Sequence, residues 1–300
     1  MIQLKTYSVT ENISPTRLVD YCKEAFADYL PSRNSVKKAI SSGEIRVNNK
    51  TSTTGHWVQK NDLISLVDLE LTPPKEYKME IEILHEDEHI AVINKPAGID
   101  VSGNKYRTIQ NVLIGVISLS KAKDALKWAR PVHRLDNQTS GLLLIAKTAS
   151  ALLSLGLQFE KKSIQKKYHA LVIGKTPSEG FFDTNVHQQE AYTSYKTLDS
   201  VPSLKNRWLS LLELSPQTGR THQLRIHLSE TGFPILGDKL YGQEGLILKN
   251  KGLFLCATEL SFQHPSSLKK QTVCLTLPPK FEQRMSNEKR RWQAYNGSES

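Results

Sequence analysis

The chain has 300 residues, of which 38% are hydrophobic and 23% are charged, and its formal net charge is +10. This composition is typical of a soluble globular protein, and the length allows one large domain or two smaller ones. No apolar run approaches the roughly eighteen residues of a membrane span, and residues 1–12 lack the charged start and apolar core of a signal peptide. We therefore expect a cytoplasmic protein without a membrane partner.

Residues 1–70 are predicted to form a small α+β module. Ser14-Pro15 favours a helix start, and a second short helix is predicted to end near Gly43. The alternation of Ile45–Val47 and the apolar run Leu63–Val67 predict two strands. Residues 71–79, which contain two adjacent prolines and several charges, are predicted to be a linker.

The second helix of this module carries a basic face. Arg33 and Lys37 are four residues apart and so point from one face, with Lys38 adjacent. Residues 33–50 hold five bases and one acid, a net charge of +4. A solvated helical hairpin is one interpretation. The order of residues also resembles the ribosomal-protein-S-four-like RNA-binding domain, which implies that Arg33, Lys37 and Lys38 contact RNA.

Residues 80–284 are predicted to form an α+β domain with a mixed, largely antiparallel sheet, because its strands come in runs and its helices do not strictly alternate with them. A helix is predicted from Thr148 to Lys162, and Thr221 is predicted to cap another. Residues 285–300 are predicted to be a polar C-terminal tail. The predicted strands lie at Ile81–Leu84, Ile90–Asn94, Tyr168–Ile173, Tyr192–Leu198, Trp208–Leu214, Leu253–Ala257 and Thr272–Leu277.

The most informative stretch surrounds Asp136. This acid lies in a polar turn ahead of Leu142–Ala146, an apolar run that is typical of a buried strand. A single acid at the mouth of such a strand can be held rigidly and partly desolvated, which suits a nucleophile or a proton-transfer group. The alternative is an ordinary turn, since Asp, Asn, Thr and Ser favour turns.

Four motifs resemble those of one enzyme family. The sequence around Asp136 reads His-Arg-Leu-Asp, then Thr-Ser-Gly-Leu from Thr139, and resembles the signature of RluA-type pseudouridine synthases. Lys167-Tyr168, the segment Thr218–Leu228 and Lys95-Pro96-Ala97-Gly98 also resemble that family. One departure is that family members commonly place a His-Pro pair where this chain has Asp100-Val101-Ser102-Gly103-Asn104.

The resemblance implies a role for three residues of the catalytic domain. It makes Asp136 the nucleophile, places Tyr168 on the target uracil and pairs Arg225 with the nucleophile. An arginine beside a carboxylate in a dry pocket favours the ionised acid. The alternatives are that Tyr168 is an ordinary core aromatic and that Arg225 is bonded elsewhere or solvated.

The resemblance also implies an RNA partner and no cofactor, because forming pseudouridine is an isomerisation. A uridine in folded RNA must be flipped out of its stack, and the resemblance assigns Arg134 to the vacated space and Arg220 and His222 to the RNA surface. The histidines show no ligand spacing, so no metal is implied. We expect a monomer acting on large-subunit ribosomal RNA, with transfer RNA as the alternative substrate.

Two other classes of protein remain open on the sequence. A glycoside hydrolase would need two carboxylates flanking the bond, and Asp238 is a less obvious partner for Asp136. A non-catalytic RNA-binding protein would need none of Asp136, Tyr168 and Arg225, yet all three are present. The odd number of cysteines without metal-ligand spacing predicts buried, reduced thiols at Cys22, Cys256 and Cys274.

Overall fold

The computed structural model describes residues 2–10, 15–27, 29–30, 32–68, 75–103, 105–248 and 251–296. The chain divides into two compact units, Met1–Pro74 and Lys75–Ser300. The division lies within the predicted linker, whose first four residues lie outside the described ranges, as do Ser14, Asn104 and the end of the predicted tail. No helix in the described part of the chain is long and apolar enough to cross a membrane.

The first unit is a four-stranded antiparallel sheet with two helices. Its strand order is β1-β4-β2-β3, and its core includes Leu18, Phe26, Val36 and Ile64, all fully buried. Its elements are β1 (Ile2–Ser8), α1 (Leu18–Ala25), α2 (Arg33–Ser41), β2 (Ile45–Val47), β3 (Lys50–Thr51) and β4 (Leu63–Asp68).

The ends of the two helices follow from local hydrogen bonds. Helix α2 begins after Ser32, whose hydroxyl accepts from the backbone of Ser35, and the Ser35 hydroxyl in turn accepts from the backbone of Ser32. It ends just before Gly43, at φ 79°, as predicted. The helix start predicted at Ser14-Pro15 is wrong. Helix α1 begins only at Leu18, because Arg17 is extended and pairs with Trp57.

The second unit is built on one ten-stranded sheet. Its main order is β10-β11-β12-β9-β13-β8-β6-β5, with β14 beside β13 and β7 beside β8. Its elements are β5 (Glu82–Glu86), β6 (Ile90–Lys95), α3 (Ile109–Val116), β7 (Ala125–Pro131), β8 (Ser140–Thr148), α4 (Ala149–Glu160), β9 (Gln165–Ile173), β10 (Glu179–Phe182), β11 (Thr193–Ser203), β12 (Arg207–Pro216), α5 (Gln223–Glu230), β13 (Leu255–Gln263), β14 (Lys270–Cys274) and α6 (Lys280–Asn296).

The predicted fold class of this unit is confirmed. Among the described strands, β8 and β13 run parallel, whereas the other neighbours are antiparallel, which gives an α+β fold with a mixed sheet. Residues 142–146 of β8 are all fully buried, so the predicted buried strand is correct. A Cβ atom at Gly141 would lie 2.1 Å from the Ala257 carbonyl oxygen. Glycine therefore allows β13 to approach the first residues of β8, directly after the loop that holds Asp136.

The predicted tail at residues 285–300 is wrong up to Asn296, because α6 is an amphipathic helix that packs on the sheet. Phe281, Met285 and Glu288 recur at helical spacing and are buried. The Glu288 carboxylate accepts a hydrogen bond from the Ser203 hydroxyl at 2.6 Å and forms an ion pair with Arg284 Nη2 at 2.8 Å. The polar composition of this segment predicted a tail because it gave no sign that Glu288 is buried and paired.

The prediction for the cysteines is confirmed at two positions and wrong at the third. Cys22 and Cys256 are buried free thiols, whereas Cys274 is exposed. Cys274 ends β14, a strand whose exposure alternates residue by residue. An apolar sequence context therefore did not imply burial for this side chain.

Asp87 gives the second unit a predictable acid sensitivity. Its partly buried carboxylate accepts from His85 and His264 at 2.9 and 3.0 Å and from the backbone of His89 and Ile90 at 2.7 and 2.9 Å. Burial raises the pKa of Asp87, but these hydrogen bonds outweigh burial and lower that pKa to about 2. A lowered pKa stabilises the fold above pH 4 or so, and the stabilisation is lost as the pH falls through about 2.

We therefore expect Asp87→Asn to lower the free energy of unfolding by about 2 kcal/mol at neutral pH, with the deficit shrinking towards zero as the pH approaches 2. Urea unfolding at a series of pH values measures this difference. Glu80→Gln, which removes an exposed carboxylate just before β5, is the control. A deficit that stays constant with pH would contradict the assignment.

Candidate active site

A cavity of about 280 Å³ lies in the second unit where the loop before β8 meets β9 and the segment leading into α5. This volume is near the lower end of the range for small-molecule sites, about 300–1,000 Å³. Nine site residues were predicted from the sequence. Six of them line the cavity: Arg134, Asp136, Tyr168, Arg220, His222 and Arg225. The remaining three, Arg33, Lys37 and Lys38, belong to the first unit.

Asp136 is held in the loop between β7 and β8, where its backbone carbonyl accepts from the Thr139 amide at 3.1 Å. Its side chain is 19% exposed, so it is accessible from the cavity but largely desolvated. Arg225 Nη1 lies 3.5 Å from Asp136 Oδ2, and His222 Nε2 lies 3.8 Å from Asp136 Oδ1. One carboxylate thus faces an arginine and a histidine at ion-pair distances that are longer than those of a direct hydrogen bond.

Asp238 fixes the arginine in place, a contact that the sequence did not predict. Arg225 Nε and Nη2 donate to the two Asp238 oxygens at 2.7 and 2.9 Å. Asp238 Oδ1 also accepts from the backbone of Leu240 and Tyr241. Burial raises the pKa of Asp238, but the hydrogen bonds from Arg225 and from these amides lower it overall. The bidentate pair leaves Nη1 of Arg225 directed to Asp136.

The same contacts exclude Asp238 as a second catalytic carboxylate. Its side chain is 1% exposed, and both of its oxygens are occupied by donors of the protein. A glycoside hydrolase needs two accessible carboxylates on either side of the bond. Asp238 therefore does not serve as the partner of Asp136 that such an enzyme would require.

His222 occupies a strained position beside Asp136. Helix α5 begins at Gln223 with His222 as its N-cap, so the predicted cap at Thr221 is wrong. His222 has φ 57°, a left-handed conformation that costs a non-glycine residue about 1–2 kcal/mol. Its Nδ1 lies 2.9 Å from the Tyr241 hydroxyl, and the Tyr241 ring lies under the Arg225 guanidinium at 5.0 Å. Strain of this kind is found at functional sites.

Gln223 braces the segment that precedes α5. Its Oε1 accepts from the Thr218 hydroxyl at 2.7 Å and from the Arg220 amide at 3.0 Å. Its Nε2 donates to the Tyr192 carbonyl and to the Thr193 hydroxyl. The Arg220 side chain in turn donates through Nε to a backbone carbonyl at residue 190, at 3.1 Å. This turn and its arginine are thereby held against the rest of the cavity wall.

Tyr168 lies inside β9, opposite Leu214 of β12 and Ala257 of β13, and is half-buried on the cavity wall. Burial and, second, the charge of Asp136 raise the pKa of Tyr168. Its hydroxyl is therefore neutral at physiological pH and can donate a hydrogen bond. Its ring, with Leu224 and other apolar residues of the wall, forms a surface suited to a flat ligand.

Lys95 is a supporting residue that the sequence did not predict, although it opens the Lys-Pro-Ala-Gly motif. It is fully buried, and its ammonium donates to the carbonyls of Pro96, Asn137 and Thr139 at 3.0, 3.2 and 2.8 Å. Burial lowers its pKa to about 8, against the opposing charges of two acids, Asp100 and Asp136. Lys95 thus ties down the loop that presents Asp136.

Asp100, where the sequence departs from the family pattern, also contacts the loop that presents Asp136. Asp100 Oδ1 accepts from the Asn137 side chain at 2.9 Å, and its Oδ2 accepts from Lys105 at 2.9 Å. The Gly98 amide donates to the Asn137 carbonyl at 2.7 Å. In this chain an Asp–Asn hydrogen bond joins the two loops at the position where the resemblance leads one to expect His-Pro.

His133 lies in the cavity wall and is held there by two contacts. Its Nε2 accepts a hydrogen bond from the Leu144 amide at 3.0 Å, and its ring stacks on Phe159 at 4.7 Å. Burial lowers its pKa to about 3, so the imidazole is neutral. Arg134, the next residue, is exposed at the cavity rim.

The basic residues of the first unit differ in their availability. Arg33 forms an ion pair with Asp20 of α1, with both side chains largely exposed. Lys37 and Lys38 are exposed, and the described part of the chain places no carboxylate in an ion pair with either. These two lysines are therefore more available than Arg33 to bind an anion.

A single carboxylate with a fixed cationic partner, beside a neutral tyrosine in a cavity for a flat ligand, defines an enzyme site for nucleophilic or proton-transfer chemistry. A family model described as RNA pseudouridylate synthase matches residues 89–230. Ribosomal large subunit pseudouridine synthase C of Buchnera aphidicola subsp. Schizaphis graminum is 34% identical over 278 residues, which cover 83% of this chain and 87% of that protein.

Two further proteins are similar over most of their length. Ribosomal large subunit pseudouridine synthase D of Nitrosomonas europaea is 29% identical, over 87% of this chain and 80% of that protein. The solved structure of Human RNA Pseudouridylate Synthase Domain Containing 4 is 28% identical with a TM-score of 0.55, over 67% of this chain and 90% of that one. The chain belongs to the RluA-type pseudouridine synthase family. It is an RNA pseudouridine synthase, and hence an isomerase.

Proposed function

We propose that this chain converts specific uridines of large-subunit ribosomal RNA to pseudouridine, with Asp136 as the nucleophile. The observation that carries the proposal is the desolvated Asp136 carboxylate facing Arg225 in a cavity of nucleobase size. The choice of RNA is supported by the names of the relatives, which are ribosomal large subunit pseudouridine synthases. Their similarity covers more than four fifths of this chain.

The chemistry requires a nucleophile, a cation to orient it and a surface for the detached base. The bond from ribose to N1 of uracil breaks, the base turns and ribose joins C5. The C5 proton leaves and N1 gains a proton, so the product is an isomer of the substrate. Asp136 attacks the nucleotide as the nucleophile. Arg225, which is fixed by Asp238, keeps the Asp136 carboxylate oriented and favours its ionised form. Tyr168 packs on the uracil ring, and its neutral hydroxyl is available as a donor.

The rim of the cavity takes the RNA. A uridine reaches Asp136 only after it leaves its stack, which costs a few kcal/mol. Arg134, exposed at the rim, occupies or braces the vacated space, and Arg220 and His222 lie on the RNA side of the same opening. Cations at this rim offset the cost by binding the phosphates next to the flipped nucleotide.

The first unit is the second contact with RNA in this proposal. Its capped α2 with an exposed basic face, ended by a left-handed glycine and followed by a short strand, fits a ribosomal-protein-S-four-like RNA-binding domain. Lys37 and Lys38 contact phosphates, and Arg33 does so only in competition with Asp20. The proposal places this domain before a catalytic domain at residues 80–284.

The two free lysines give a prediction for binding. We expect Lys37→Gln with Lys38→Gln to lower the log–log salt slope of RNA binding by about 1.4–1.8, since each lost phosphate contact removes about 0.7–0.9. Arg33→Gln should change the slope less, because Asp20 already neutralises that charge. Lys289→Gln with Arg290→Gln removes two exposed charges from α6 as the control. Equal slopes for the wild type and the lysine double variant would contradict an RNA contact at this face.

The experiment that tests the function maps pseudouridine in RNA. Purified full-length protein and its Asp136→Asn variant are incubated with unmodified transcripts of ribosomal RNA and transfer RNA, and pseudouridine is located by a base-specific chemical probe. We expect Asp136-dependent sites in the large-subunit transcript. Sites confined to transfer RNA would support the alternative substrate, and RNA binding without any pseudouridine would indicate a non-catalytic protein.

A further inference from the structure

Lys166 lines the same cavity but has no role in the chemistry described above. It precedes Tyr168 by two residues on β9, so the two side chains project from the same face of the sheet. Its ammonium donates to the Thr218 carbonyl at 3.4 Å, which is longer than the usual range of about 2.7–3.2 Å. A Cβ atom at Gly219 would lie 3.8 Å from this ammonium, and Gly219 itself is exposed.

The charge of Lys166 lacks a partner, in contrast to that of its neighbour. In the ranges that the structure describes, no carboxylate forms an ion pair with Lys166, and burial lowers its pKa. Lys167 projects from the opposite face and lies 3.3 Å from Glu213 and 3.7 Å from Glu259. An ammonium that is partly desolvated, with three donors and one long hydrogen bond, is poised for an anion.

We propose that Lys166 binds a backbone phosphate of the RNA next to the target uridine. This inference rests on the proposed function, and it adds the group that holds the flipped nucleotide by its backbone. A phosphate is favoured over the base because the ammonium lies beside an exposed glycine, which leaves the backbone of the RNA free to approach. Arg134 and Arg220 line the same cavity, so the phosphate meets positive charge on more than one wall.

Neutral methylphosphonate linkages test this contact. The RNA is a fragment of large-subunit ribosomal RNA that the protein binds. It carries the uridine found by mapping, or a loop uridine if mapping finds none, and the phosphate on the 5′ or 3′ side of that uridine is replaced. We expect one of the two replacements to weaken binding to the wild type about 10-fold, as loss of a charged hydrogen bond does. The same replacement should cost Lys166→Gln little, because the partner is already absent.

Lys167→Gln is the matched control, since it removes the adjacent charge from the other face and should keep the full methylphosphonate penalty. Lys166→Met is the second neutral variant, and Lys166→Arg should restore the penalty in part. An equal penalty in Lys166→Gln and the wild type, or none in the wild type at either linkage, would overturn the proposal. A slower single-turnover rate in Lys166→Gln with unchanged RNA affinity would also overturn it, because Lys166 would then contact the uracil base and not the phosphate.

Affinity, not turnover, is the measured quantity in this cycle. An RNA that binds and shows the phosphate dependence, yet gains no pseudouridine, would therefore contradict the proposed function and leave the phosphate contact standing. Pseudouridine formation without the phosphate dependence would contradict the phosphate contact and leave the proposed function standing.

Discussion

Asp136→Asn is expected to abolish pseudouridine formation while leaving RNA affinity within about 3-fold of the wild type. The amide keeps the shape of the side chain but removes its nucleophilicity, and loss of a covalent nucleophile has cost another enzyme on the order of 10⁶ in rate. We expect a loss of at least about 10⁴-fold here. Single-turnover conversion under saturating enzyme measures this rate directly.

The geometry limits side effects of this substitution. Asp136 holds its loop through its backbone carbonyl, and the loop is tied down by the Lys95 ammonium, neither of which the substitution removes. Asp183→Asn, which changes an exposed acid outside the cavity wall, is the control for the loss of one negative charge. Conversion by Asp136→Asn at a near-normal rate, with sequencing to exclude deamidation, would rule out Asp136 as the nucleophile.

The residues that face the cavity were accessible to sequence reasoning, whereas those behind them were not. Asp136, Tyr168 and Arg225 lie in motifs with fixed local spacing. Asp238 lies 13 residues after Arg225 and meets it only through the fold. Lys95 reaches the Asp136 loop from 44 residues away along the chain. Such partners are set by tertiary packing, and local spacing carries no information about them.

The same distinction explains which elements were predicted. The apolar run of β8 is fully buried between other strands, so hydrophobicity alone identified it. Strand β7, which leads into the Asp136 loop, was not predicted because most of its side chains are exposed or half-buried. Helix α6 was mistaken for a tail because its buried Glu288 is polar and is satisfied by Ser203 in a distant strand. Helix α3, at Ile109–Val116, was not predicted either.

Arg225→Leu is expected to lower both activity and stability, because the side chain links a buried acid to the proposed nucleophile. Asp238 would remain buried without its partner, and breaking such a pair costs about 3–5 kcal/mol of unfolding free energy. We expect the single-turnover rate to fall at least about 10²-fold, since Asp136 loses the group that orients it. Arg225→Lys should be milder, because lysine keeps the charge but cannot form the bidentate contact.

Adding Asp238→Asn to Arg225→Leu separates these two effects. The asparagine removes the unpaired charge and keeps an oxygen for the amides of Leu240 and Tyr241, so part of the lost stability should return. Activity should not return, because Asp136 still lacks the guanidinium that orients it. Urea unfolding and single-turnover rates of the wild type, both single variants and the double variant complete the cycle. Recovery of the rate together with stability would mean that Arg225 acts only by neutralising Asp238, and Arg220 would then become the better candidate for the partner of Asp136.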